Sequence, residues 1–288
     1  SKPDRLSLSK GNQSVTELEH LYYLAPALQK DRVLIKLIEY ENPEAALIFT
    51  NTKRDAEYLS AFLKNYGIDA QHLTGDLPQS KRESLMQRLR SGELRFLIAT
   101  DVAARGIDIS DLSHVFLYSI PEHVEVYVHR SGRTARAGKT GIAITICEKF
   151  EEGKLLGIAR RYGFSVEQRE VPSDDEIQQR LFERLVVYLE NQLNDLAIMD
   201  RERTTRFLPL LDSMTEDEDQ KLLMAMLLDR AYVQGVHGRV FEGRPLPPAH
   251  GTQGAAAADG QKKKRRRGGK GRREGEAGEA GEAPPSES

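Results

Sequence analysis

A single cysteine in 288 residues rules out an internal disulfide. That residue, Cys147, ends an apolar run and reads as a core side chain rather than a nucleophile. A chain without disulfides fits a reducing, cytoplasmic setting. The seven histidines are scattered with no ligand spacing, so no structural metal is expected. No apolar stretch approaches the roughly 20 residues of a membrane helix, and no signal peptide is visible. The chain begins without methionine in a polar segment, as a piece of a longer protein would. A phosphate-cradling Gly-x-x-x-x-Gly-Lys-Ser/Thr loop is also missing. Gly132 to Gly138-Lys139-Thr140 imitates one, but five residues intervene and an apolar run, Ile142–Ile146, follows. Such a loop must join a strand to a helix for its amides to converge on phosphate.

Arginine is what the chain does have, and in a pattern. His129-Arg130-Ser131-Gly132-Arg133-Thr134-Ala135-Arg136 sets three arginines at steps of three. Each guanidinium is a permanent charge and a planar fork matched to phosphate oxygens. A solvated basic turn is the plain alternative. Upstream, Phe96-Leu97-Ile98 runs into Ala99-Thr100-Asp101-Val102-Ala103-Ala104-Arg105-Gly106-Ile107-Asp108. Short apolar runs bounded by polar turns read as buried parallel strands, and open α/β sheets bind ligands at their carboxyl ends. Gly106 would let the backbone approach a ligand closely, and Asp108 could accept from ribose hydroxyls. The alternative is an ordinary strand-to-helix loop with a capping Asp. Earlier still, Ala45–Thr50 is a strand entering the polar turn Asn51-Thr52-Lys53. His72-Leu73-Thr74-Gly75-Asp76 and Gln79-Ser80-Lys81-Arg82 follow, opening a helix to about Arg90 that Asp76 or Ser80 could cap. Arg82 beside that helix N-terminus could hold phosphate, or could be ordinary helix surface.

In this order the segments resemble motifs IV, the glutamine-to-arginine motif, V and VI of the superfamily 2 helicases, in wording closest to the DEAD-box RNA helicases. The resemblance implies the second of two RecA-like domains, over residues 14–172. It implies ATP bound in a cleft shared with a missing N-terminal RecA-like domain, which would supply the phosphate loop, the Asp-Glu-Ala-Asp sequence and the Mg²⁺ ligands. On this side it implies Arg133 and Arg136 as charge-stabilising fingers, with Gly106 and Asp108 at the nucleotide. It also implies Asn51, Thr52, Gly75, Arg82 and Thr100 on RNA, and Arg105, His129 and Arg130 in interdomain coupling. The implied activity is that of an ATP-dependent RNA helicase, inactive as this piece alone. A DNA-acting relative and a non-catalytic dimerisation and RNA-binding module remain open. Two positions depart from the family: Thr74 stands where His is usual and Ser119 where Asp is usual. The second puts the strength of the coupling network in doubt.

Strand and helix alternate through residue 172, which predicts an α/β fold: a parallel sheet with helices on both faces. The expected elements are an extended segment Val15–Leu24, helices Leu28–Tyr40, Arg54–Tyr66 and 79–90, and strands 45–50, 70–73, 95–99, Val115–Tyr118 and 141–146. A helix before Arg130 and a last strand at Phe164–Val171 complete the set. Residues 1–13 read as a linker. After Pro172 the pattern becomes helical. Ile177, Leu181, Leu185, Leu189, Leu193 and Leu196 recur at helical steps behind a cap at Ser173–Glu176. A second helix is expected from Thr215 to Tyr232. This small all-α region, 173–237, cannot enclose a core alone and must pack on its own domain or on another copy. It resembles the dimerisation region of bacterial cold-shock-type DEAD-box helicases. Residues 238–288 lose hydrophobic periodicity and read as a disordered tail. Within it, 262–273 hold nine Lys or Arg, so a net charge of −2 hides a body near −11. Such an arm attracts polyanions without reading sequence and fits an RNA tether. A solubilising tail and a nuclear import signal are its other readings.

Overall fold

The computed structural model describes residues 18–104, 112–135 and 140–238. Seven strands form one sheet: β1 Leu18–Leu24, β2 Ala46–Phe49, β3 Ala70–Leu73, β4 Phe96–Ala99, β5 His114–Leu117, β6 Gly141–Cys147 and β7 Glu167–Arg169. Their spatial order is β3-β4-β2-β5-β6-β1-β7, with every pairing parallel. The helices between them are α1 Lys30–Glu41, α2 Lys53–Asn65, α3 Gln79–Arg90, α4 Asp101–Ala104, α5 Val124–Ser131 and α6 Glu152–Tyr162.

Strand alternation builds two cores. Phe96 and Ile98 of β4, with Ala46 and Ile48 of β2, face Leu34, Leu37, Leu59 and Leu63 of α1 and α2. The alternate residues Leu97, Ala99, Leu47 and Phe49 pack with Leu89, Tyr127 and Ile158 of α3, α5 and α6. Burial on both faces is why these strands are continuous apolar runs. Cys147 lies fully inside one of these cores, where burial pushes its thiol up to about 11 and keeps it an inert thiol.

Several boundaries differ from the sequence reading. Helix α3 has Pro78 at its N-cap with no side-chain bond, so neither Asp76 nor Ser80 caps it. Asp76 instead pairs with Lys53 at 2.6 Å. The last strand is only Glu167–Arg169, and α6 had no counterpart in the reading. Residues 15–17, the linker 1–13 and the tail from 239 lie outside the described residues.

Four helices follow: α7 Asp174–Asp195, α8 Ile198–Thr205, α9 Leu208–Met214 and α10 Glu218–Val236. The Ser173–Glu176 capping box opens α7 as expected. Asp217 caps α10, which starts and ends a few residues later than Thr215–Tyr232. Helices α7 and α10 dock on their own chain. Arg184 of α7 donates to the carbonyls of Glu39 and Tyr40 at the end of α1. From α10, Tyr232 donates to Glu39 at 2.6 Å, and His237 Nε2 lies 2.9 Å from the other Glu39 oxygen. Arg95 donates to the Val236 carbonyl at 2.6 Å. Burial pushes the Glu39 carboxyl up, but the hydrogen bonds from His237 and Tyr232 and the nearby Arg184 outweigh it, leaving it below the usual range. All these contacts gather at the amino-terminal edge of the sheet, where α1 ends and β4 begins.

Candidate functional site

The opposite edge carries the chemistry. Asn51 follows β2, Asp101 follows β4, and Ser119–Ile120 follow β5. Arg130, near the end of α5, reaches all three. It is 1% exposed and meets Asp101 as a two-pronged pair, Nε to Oδ1 and Nη2 to Oδ2, each 2.7 Å. Its Nη2 also donates to Asn51 Oδ1 at 2.9 Å, and its Nη1 to the Ser119 carbonyl at 2.8 Å. Asn51 then donates through Nδ2 to the Ile120 carbonyl at 2.9 Å. The guanidinium lies 5.2 Å from the centre of the Phe49 ring. One buried arginine thus holds three strand-end loops in register.

Beside this clamp is a cavity of about 210 Å³, bounded by Asp101 and Ala104 of α4, by Glu125 and His129 of α5, and by Arg133 just past its end. His129 is exposed there and Arg133 half-buried. The hollow carries both Arg133 and Glu125 and lies at the carboxyl ends of a parallel sheet, where open α/β folds bind ligands.

The residues read as RNA contacts also gather at this edge, after β2, β3 and β4. Arg82 is half-buried and donates to the Ala103 carbonyl at 2.8 Å, fastening α3 to α4. Gly75 lies in an exposed turn against α4, where an added Cβ would stand 3.6 Å from a Val102 methyl. Lys53 holds that turn through Asp76, and its hydrogen bond draws the Asp76 carboxyl down to about 2. Thr100 follows β4 directly, 9% exposed. Asn51 and Thr52 are exposed, yet their side chains are engaged: Asn51 in the clamp, and Thr52 accepting from the Asp55 amide at 3.1 Å to cap α2.

Arg130 itself faces inward, where it joins loops of its own domain. Arg105, Gly106, Asp108 and Arg136 lie outside the described residues. The two departures also have a place. Ser119 meets Arg130 through its backbone carbonyl, which any residue supplies. Thr74 is buried and hydrogen-bonds Asp76. Asp101, the partner of Arg130, went unremarked in the sequence. Its signal was position: an acid within two residues of the end of an apolar strand.

Residues 29–138 match the helicase conserved C-terminal domain. The chain is 37% identical over 196 residues to the DEAD-box ATP-dependent RNA helicase CshA of Bacillus thuringiensis, covering 67% of this chain and 37% of that protein. It is 32% identical over 233 residues to the RNA helicase CrhR of Synechocystis, covering 81% of this chain and 46% of the relative. The chain therefore spans less than half the length of these curated relatives. Among solved structures, the E. coli DEAD-box protein SrmB, bound to regulator of ribonuclease activity A, superposes with a TM-score of 0.51. That match is 35% identical and covers 56% of this chain and 94% of the other.

Proposed function

The chain belongs to the DEAD-box helicases, whose C-terminal helicase domain it carries, and we propose on that footing that it works as half of an ATP-dependent RNA helicase. The carrying observation is the Arg130 clamp, which holds the segments after β2, β4 and β5 beside a cavity edged by Arg133 and His129. Arg133 and Arg136 neutralise the charge that develops on the transferred phosphoryl group, an effect worth roughly 10³–10⁵ in rate for such fingers. Asp108 receives the ribose. The N-terminal RecA-like domain supplies the phosphate loop and the Mg²⁺ ligands, so ATP sits between the two domains. Thr100, Arg82, Asn51, Thr52 and the Gly75 turn hold RNA by its backbone, which positions a strand without reading its sequence. The setting is cytoplasmic.

ATP hydrolysis tests this, measured on residues 1–288 alone and joined to the N-terminal helicase domain, with RNA or DNA added. The chain alone is expected to be inactive and the joined form to be stimulated by RNA. Equal stimulation by DNA would make it a DNA-acting relative, and RNA binding without any hydrolysis would make it a binding module.

One observation supports pairing as well. Ile198, Met199 and Leu222, on α8 and α10, are 78%, 75% and 71% exposed, among many exposed apolar side chains on the helices after Pro172. Patches of this kind mark interaction sites. A homodimer through 173–237 is the proposed use. Sedimentation should give a dimer that Ile198→Glu with Leu222→Glu converts to monomer; a monomeric parent chain would end the idea.

A further inference from the structure

Thr134 lies in sequence between Arg133 and Arg136 but turns inward, 1% exposed. Its hydroxyl donates to the Leu112 carbonyl, with the Ser113 carbonyl 3.2 Å away as a second acceptor. Leu112 and Thr134 also pair as an isolated parallel bridge. The Thr134 amide donates to the Ser131 carbonyl at 3.2 Å, and the Arg133 amide to the Arg130 carbonyl at 3.2 Å. Behind the hydroxyl, Gly141 opens β6 with no room to spare. A Cβ there would overlap the Thr134 hydroxyl and stand 2.6 Å from the Ala135 amide nitrogen. Ala135 itself is held at φ 56°, a left-handed conformation that costs a residue with a Cβ. Such strain persists only where the surroundings over-determine the backbone, and it concentrates at functional sites.

The placement has a purpose that burial alone does not explain. The Thr134 hydroxyl fastens the turn that carries Arg133 to Leu112 and Ser113, the residues that enter β5. We propose that Thr134 is a positioning residue: through Leu112 and Ser113 it sets where Arg133 stands at the edge of the cavity. It touches no substrate and acts through Arg133. The proposal rests on the helicase reading above.

The test compares Thr134→Val, which keeps the shape and loses the donor, with Thr134→Ser, which keeps the donor. Arg133→Ala serves as reference, and all are measured as RNA-stimulated hydrolysis in the chain joined to its N-terminal domain. A misplacement of about 1 Å costs on the order of 10²-fold, so Thr134→Val should lower kcat about 10- to 100-fold. KM for ATP should stay within about twofold, since a transition-state contact and not ground-state binding is lost. Thr134→Ser should restore kcat. Loss in Arg133→Ala with full kcat in Thr134→Val overturns the proposal and leaves the helicase reading standing. Full activity in Arg133→Ala overturns both. Should Thr134→Val fail to fold in a thermal melt, Thr134→Ala, which only removes atoms, carries the same comparison.

Discussion

Arg130 and Arg133 are three positions apart and chemically identical, yet one is a buried strut and the other edges the cavity. Sequence shows the arginines and their spacing but not which turns inward. The partners decide that: Asp101 and Asn51 sit close behind buried strands, where a cation can satisfy them. Arg130→Lys keeps the charge and loses the fork, leaving acceptors at Asn51 or Ser119 unmet. A hydrogen bond to a charged group contributes about 1.5–3 kcal/mol, and denaturant titration should show a loss of that size. A second residue-scale effect is acid sensitivity. His20 stacks on Phe164 at 4.1 Å and lies 3.2 Å from the Tyr127 hydroxyl, and burial lowers its pKa to about 4. The folded value lies below the unfolded one, so the associated stability is whole above about pH 6.5 and is lost as pH falls toward 4. The loss amounts to about 3 kcal/mol by pH 4. His20→Phe should flatten this slope in melts taken between those two pH values; an unchanged slope would assign it to other groups.

At the scale of elements, close approach replaces side-chain bulk where α7 meets α10. A Cβ at Gly235 would run into the Tyr188 ring. Gly235→Ala should therefore destabilise the chain by about 1–3 kcal/mol despite its better helix propensity. A gain in melting temperature would show that the helices separate easily. Elements with a strong pattern were legible in the sequence. Strands β2, β4 and β5 are buried along their whole length and read as apolar runs, and α7 announced itself by its cap and stripe. Strand β7 was legible in place but not in length: Glu-Gln-Arg, the part of the expected Phe164–Val171 that pairs with β1, has no apolar run to mark its ends. Helix α6 was hidden by Gly153 and Gly157, which weaken a helical pattern. The site was legible as a set of segments. The clamp that joins them was not, since a contact between residues 51, 101 and 130 is a product of the fold.

For the whole molecule, the charge division makes a prediction of its own. Removing residues 239–288 takes away nine clustered cations and should weaken RNA binding at low salt, with a shallower salt dependence. Unchanged affinity at low salt would leave the tail a solubilising one. Cutting instead at Pro172 is no neutral control for dimerisation. It would strip Glu39 of Tyr232 and His237, and Arg95 of the Val236 carbonyl, so point changes on the outer helical surface are the cleaner test. The docking of α10 also decides how the protein can be handled. At His237 the chain is fastened beside Glu39 and Arg95, at the sheet edge remote from the Arg130 clamp. A fluorophore, a biotin or a bead linkage placed just after Gly238 would leave from that far side. Single molecules anchored there would present the cavity outward, open to the ligands proposed for it.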